Sequence, residues 1–266
     1  MRQWPSLLHK RSIVKEVRMD NFLYVSMSGA KETMNALAIH SNNLANASKT
    51  GFKASFEQAR SMQVHGQGLP TRVFALAESP GQNFDSGIVH DTGRELDVAI
   101  EGEGWFVVKS EAGDEGLTRS GDFNITAEGF LIDANGQEVM DETGNNIYIP
   151  MPIEKFNIRK DGMIEVRPEG APADAMEDIA KLKLVNPDIK DLMRGSDGLF
   201  RRIDGQPLQV SNDVVVANGA LEASNVNLSS ELTSLINLQR SFEMQIKMMK
   251  KAEEIDKSSE SLLRMS

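Results

Sequence analysis

Two apolar stripes of helical period, one near each end of the chain, constrain its fold more than any other feature. Leu23, Met27, Ala30, Met34, Leu37, Ser41 and Leu44 advance by alternating steps of four and three, which sets them along one helix face. Leu228, Leu232, Leu235, Gln239, Phe242, Ile246, Met249 and Glu253 do the same at the other end. Asp20 or Asn21 can cap the first helix. The run from Ser230 to Leu263 contains neither Gly nor Pro, and a helix of that extent is about 50 Å long. Neither stripe can be buried within its own helix, so each needs a second surface. Most amphipathic helices find that surface on a globular core. Here the stripes are narrow, their flanks polar, and they sit at opposite ends of the chain, so the simplest partner of each is the other.

Between them, from about Thr71 to Asn218, the pattern changes to strands and turns. Leu96-Asp97-Val98-Ala99-Ile100 alternates, Gly102-Glu103-Gly104 breaks it, and Trp105-Phe106-Val107-Val108 resumes. Turn signals recur at Asn135-Gly136, Thr143-Gly144-Asn145, Lys160-Asp161-Gly162 and Ile203-Asp204-Gly205. Phe156–Arg159 and Met163–Val166 flank one of them as a hairpin. No helix-length segment separates these strands, which excludes βαβ crossovers and favours antiparallel pairing. Glu177–Ala180 reads as a single helical turn. The expected fold class is therefore α+β: N- and C-terminal helices forming a coiled-coil stalk, with an antiparallel β-rich domain inserted. Residues 1–18 read as a basic arm, disordered or a mis-assigned start. Residues 19–53 form the N-terminal helix, which joins 222–266 in a helical domain. Residues 54–92 form an extended linker, 93–218 the β domain and 219–266 the C-terminal helix.

Composition narrows the chemistry. The chain of 266 residues carries a net charge of −10, a poor balance for gripping phosphate backbones. It has no cysteine, which excludes disulfide frameworks, zinc ribbons and thiol nucleophiles. Its first eighteen residues hold five cations against one acid. Their apolar residues are scattered and do not read as a secretory signal. No apolar run approaches the roughly 18 residues of a membrane helix.

Candidate catalytic motifs fail on spacing. His9, His40, His65 and His90 form no ligand pair, and no nucleophile elbow occurs. Gly102 and Gly104 lack the third glycine and following helix of a phosphate cradle. Asp133-x-Asn135-Gly136 begins like a calcium loop, but later acidic ligands are missing at the required spacing, so it reads as a turn. Asp97, Glu101 and Glu103 could work as acid and base, yet alternation sets the first two on a solvated strand face. Lys247, Lys250 and Lys251 read as a solvated basic face. No catalytic, cofactor-binding or metal-ligating residue is expected, and no cofactor.

The segment Ser41-Asn42-Asn43-Leu44-Ala45-Asn46-Ala47-Ser48-Lys49-Thr50-Gly51-Phe52-Lys53 stands out. Three asparagines crowd the end of a helical stripe, although Asn is a mediocre helix former that bonds backbone groups through its amide. Gly51 can take positive φ and Phe52 can fold back as an apolar clasp. The ordinary reading is an Asn-rich helix end; the functional one is amides bonding across subunits. The expected subunit contacts are thus Leu23, Met27, Met34, Leu37 and Leu44 on the first stripe. On the second they are Leu228, Leu232, Leu235, Phe242, Ile246 and Met249, and in the asparagine segment Asn42, Asn43, Asn46, Gly51 and Phe52.

Ser41–Lys53 resembles the N-terminal signature of the bacterial flagellar rod and hook proteins. Gly93–Phe106 is similar to the family's entry into its β domain, Thr118-Arg119-Ser120-Gly121-Asp122-Phe123 to the motif that follows, and Gly219–Asn227 to the lead into the last helix. These occur in family order from Met19 onward. The short stretch between Lys53 and Asp97, and Phe242–Lys250, resemble proximal-rod members more than distal-rod ones. The resemblance implies a structural, non-enzymatic subunit of the proximal rod, polymerising through its terminal helices to transmit torque. It implies partners among proximal and distal rod subunits and copies of itself, export through the flagellar type III apparatus, and a place in the basal body across the periplasm. Nucleic-acid binding and membrane insertion are not implied. The alternative is a secreted β-domain binding module dimerised by its terminal helices.

Overall fold

In a computed structural model, residues 9–63, 73–77, 80–172 and 175–264 are described. Residues 1–8, the first part of the expected basic arm, lie outside them. The chain divides into two compact units. One comprises 1–45, 55–82 and 227–266, the other 46–54 and 83–226.

The first unit is built on α1 (His9–Ala45) and α2 (Leu228–Arg264), each of 37 residues. α1 begins ten residues ahead of Met19, inside the stretch read as an arm. The Asn227 side chain starts α2 by accepting from the Ser230 amide at 3.1 Å, which satisfies one of the otherwise orphaned first-turn donors. Two antiparallel strand pairs join the helices: Ser55–Phe56 with Gly81–Gln82, and Ala59–Gln63 with Val73–Ala77. Part of the stretch read as an extended linker is therefore hydrogen-bonded sheet.

The expectation of a coiled-coil stalk is overturned by which residues the helix pair buries. On α1 the buried positions are Ala30, Thr33, Ala36 and Asn43, while Met27 and Met34 are 57% and 59% exposed. On α2, Ala252 is buried, and Leu228 and Leu232 are 51% and 45% exposed. Ala30 belongs to the expected stripe, but Thr33, Ala36 and Asn43 each lie one residue round from its Met34, Leu37 and Leu44. Small residues let the backbones approach: a Cβ on Gly29 would sit 3.4 Å from Gln245 Nε2. Thr33 Oγ1 lies 3.2 Å from that same nitrogen. Small and polar groups line this contact, not the interlocking Leu and Met knobs of a coiled coil. With two strand pairs in the same unit, the terminal helices do not form a coiled-coil stalk.

The second unit is antiparallel throughout. Trp105–Lys109 is its central strand, pairing with Glu115–Thr118, Glu138–Val139 and Leu184–Val185. Because successive side chains point to opposite faces, Phe106 and Val108 enter the larger core with Val98, Phe123, Leu131 and Ile164. Trp105 and Val107 enter a second core with Leu117, Val185 and Phe200. Ile153–Ile158, Met163–Pro168 and Glu177–Lys181 form a further sheet. Residues 177–180, expected as a helical turn, are instead strand, because their backbone continues the Met163–Pro168 ladder. Val98–Glu101 pairs with Val215–Asn218, and Val89–Asp91 with Ala220–Glu222.

Candidate functional site

The chain passes into or out of the second unit at three places: 46–54, the start at Asn83, and the end near Val226. One hydrogen-bonded clasp gathers all three. Its centre is Glu222, whose side chain is 1% exposed. Its Oε1 accepts from Lys53 Nζ and from the Gly87 amide, both at 2.8 Å. Its Oε2 accepts from Arg119 Nη1 at 3.1 Å, and its backbone carbonyl from the Gly51 amide at 2.7 Å. Lys53 Nζ donates further to the Asp85 carbonyl at 2.8 Å, and Arg119 Nη2 to the Gly102 carbonyl at 2.6 Å.

Asn225 completes the clasp. Its Oδ1 accepts from the Ala54 amide at 2.7 Å, and its Nδ2 donates to the Asn83 and Asp85 carbonyls, both at 2.9 Å. Two glycines are needed for this closeness. A Cβ on Gly87 would lie 1.9 Å from the Ala223 carbonyl oxygen, and one on Gly51 (φ +64°) 2.3 Å from the Arg119 backbone. Burial pulls the Lys53 ammonium below the ordinary lysine value, with Glu222 pulling the other way. Burial likewise lowers Arg119 against the field of Glu222. Buried charges of this kind persist only when paired and hydrogen-bonded, and here every passage of the chain supplies part of the pairing.

Of the expected contact residues in the asparagine segment, three go to ordered places. Asn43 is buried, and its amide exchanges two bonds with the Ser55 backbone: Nδ2 to the carbonyl at 2.8 Å, and Oδ1 from the amide at 2.9 Å. Gly51 takes the positive φ expected of it, but six residues beyond the end of α1. Phe52 is buried beneath the Arg194 guanidinium, 4.4 Å from its ring centroid. Asn42 is exposed and Asn46 half-buried. On the helices, Leu37, Leu44, Leu235, Phe242, Ile246 and Met249 are half-buried, whereas Met27, Met34, Leu228 and Leu232 face outward. The Leu23 side chain lies outside the described residues.

Large apolar side chains stand exposed among polar ones on the outward faces of the helices. Leu228, Leu232 and Ile236 (52% exposed) climb one flank of α2 in steps of four. Met244 (61%), Met248 (45%) and Ile255 (60%) lie on the opposite flank further along, as 100° per residue requires. Within the same unit, His40 Nδ1 meets Glu231 Oε2 at 2.5 Å. Beside it, burial and a hydrogen bond with Glu32 raise the Glu57 carboxyl above its ordinary value.

Sequence reasoning missed Arg119, Glu222 and Asn225, although each stands in a motif it quoted. Asp97, expected on a solvated face, is 3% exposed and is held by Thr92 Oγ1 at 2.7 Å and Arg94 Nη1 at 2.9 Å. The Asp133 carboxylate accepts from the Asn135 and Gln137 amides, both at 2.8 Å, which organises a turn. Trp105 is 4% exposed against Phe84 and Phe200, so it presents no aromatic platform to a ligand.

The signatures that build the clasp and helices also match known families. Residues 23–53 match "Flagella basal body rod protein", 99–166 the "Flagellar hook protein FlgE/F/G D1 domain", and 217–262 "Flagellar basal body rod FlgEFG protein C-terminal". The chain is 36% identical to the flagellar basal-body rod protein FlgF of Escherichia coli K12, over 93% of this chain and 100% of that one. It is 34% identical to FlgF of Caulobacter vibrioides, over 91% and 97%. It is also 30% identical to the rod protein FlgG of Bacillus subtilis, over 88% and 95%. With matches spanning both helices and the β-rich unit between, the chain belongs to the flagellar basal-body rod protein family.

Proposed function

We propose that this chain is a structural, non-catalytic subunit of the flagellar basal-body rod. It assembles with copies of itself and with other rod proteins through the outward faces of α1 and α2. Membership of the family supports the rod; the observation that carries the mechanism is the exposed apolar surface of the helices. Met27, Met34, Leu228, Leu232, Ile236, Met244 and Met248 are each between 45% and 61% exposed. Each large apolar side chain removed from water contributes about 1.5–3 kcal/mol, so several per helix suffice to drive docking. Contacts of this head-to-tail kind generate an open helical array, which is what a shaft carrying torque requires. Passage through the flagellar export apparatus belongs to the same reading.

The test replaces Leu232, Ile236 and Met248 with Ser together. The monomer should keep its circular dichroism and melting temperature, because these side chains face water, while cells lose motility and purified basal bodies lack the subunit. Normal incorporation of the variant would overturn the reading.

A further inference from the structure

The second unit contains a cavity of about 320 Å³ beside the clasp, lined by Lys49, Thr50, Phe52, Ser120, Arg194 and Phe200 among others. Its charges are unbalanced within the chain. The two acids on its wall are already neutralised: Asp122 is bound by Arg94 at 2.8 Å and Asp197 by Arg201 at 2.6 Å. Of its cations, Lys53 and Arg119 are held by Glu222, which leaves Lys49 and Arg194. Among the described residues no carboxylate pairs with Arg194 or Lys49. Arg194 makes one long hydrogen bond, 3.5 Å from Nη1 to the Lys53 carbonyl. Its guanidinium lies 4.4 Å from the Phe52 centroid and 5.9 Å from that of Phe200, which holds the fork in place by packing. Thr50 Oγ1 and Ser120 Oγ, 3.0 Å apart, add hydroxyl donors to the same wall. A half-buried guanidinium without a counter-charge is costly, and its planar fork suits the two oxygens of a carboxylate.

We propose that this cavity receives a carboxylate, the Asp or Glu side chain of a second copy of this chain. The occupant follows from charge complementarity. The chain carries a net −10, and Glu101, Glu128 and Glu169 are exposed with no ion pair among the described residues. The proposal rests on the rod-subunit reading for its partner, not for its chemistry, and each is tested separately.

The full chain, labelled with ¹⁵N, is titrated with N-acetylaspartate N-methylamide and, separately, with inorganic phosphate. The expected result is a saturable shift of the Arg194 Nε–H resonance and of the Thr50 and Ser120 amides, with phosphate binding more weakly. Arg194→Gln should weaken the carboxylate by at least about tenfold, or roughly 1.4 kcal/mol. Lys49→Gln, an exposed change that leaves folding intact, should weaken it by about two- to fivefold. An unsaturable response, tighter binding of phosphate, or equal affinity in Lys49→Gln would overturn the carboxylate site. Carbodiimide coupling of isolated basal bodies then identifies the source. Lys49 joined to an acidic peptide of a second copy supports the proposal. Lys49 joined only to other proteins, or not joined while helix lysines are, overturns that occupant. Failure of the rod reading shows instead as absence of the subunit from basal bodies, with the titration unaffected.

Discussion

Lys53 and Glu222, 169 residues apart in the sequence, meet at 2.8 Å with each side chain 1% exposed. One closes the segment after α1 and the other precedes α2, so this contact ties the entrance of the β-rich unit to its exit.

Glu222 is the member of this pair whose loss should matter most, because two cations and the Gly87 amide depend on its side chain. Glu222→Ala leaves Lys53 and Arg119 buried without a counter-charge, a change that costs about 3–5 kcal/mol in buried pairs. Urea denaturation followed by Trp105 fluorescence should show the midpoint falling accordingly. Lys53→Met should cost less, since Arg119 and the Gly87 amide still satisfy Glu222.

Gly87→Ala should destabilise the same unit without touching a charge. Its new methyl would meet the Ala223 carbonyl oxygen at 1.9 Å, and backbone shifts of that kind cost about 1–3 kcal/mol. Stability equal to that of the parent chain would show that the crossing is looser than described.

On the helices, Ala36→Leu and Met34→Ser should behave oppositely. Ala36 is 1% exposed on α1, so the larger residue overpacks its surroundings and should cost about 1–3 kcal/mol in a thermal melt. Met34 is 59% exposed, so Met34→Ser should leave the melt within about 0.5 kcal/mol while reducing incorporation into basal bodies.

Glu57 should make the helical unit more stable in mild acid. Burial and Glu32 raise its carboxyl above 4.5 in the folded chain, so folding takes up a proton in the window just above that value. Stability therefore declines as pH rises through the window. Glu57→Gln removes the ionisation; it should raise stability at neutral pH and flatten the decline. A pH profile unchanged by the substitution would exclude this role for Glu57.

The α and β territories were readable because their periods differ: steps of three and four at the ends, and alternation with glycine turns between. The helix seam was not, because period fixes a stripe only to within a residue and side-chain size decides which neighbouring row is buried. Met27 and Met34 look like core on hydropathy, yet it is Gly29 and Thr33 that meet Gln245 of α2. The clasp was half legible. Gly51 and Phe52 carry local signals of backbone and packing, whereas Glu222 and Arg119 acquire meaning only when residues 103 positions apart meet. No local pattern in a chain with 39 acidic residues marks the few, Asp97, Asp133 and Glu222 among them, that are buried.

The clasp also decides how the β-rich unit bears tension. A pull on the segment at Lys53 and an opposing pull at Asn225 meet directly across Glu222 and the Asn225 amide, whose bonds are strained together and in shear. The strand ladders around Trp105–Lys109 lie outside that path and are not peeled one rung at a time. Such stitching keeps the sheet unloaded until several bonds rupture at once.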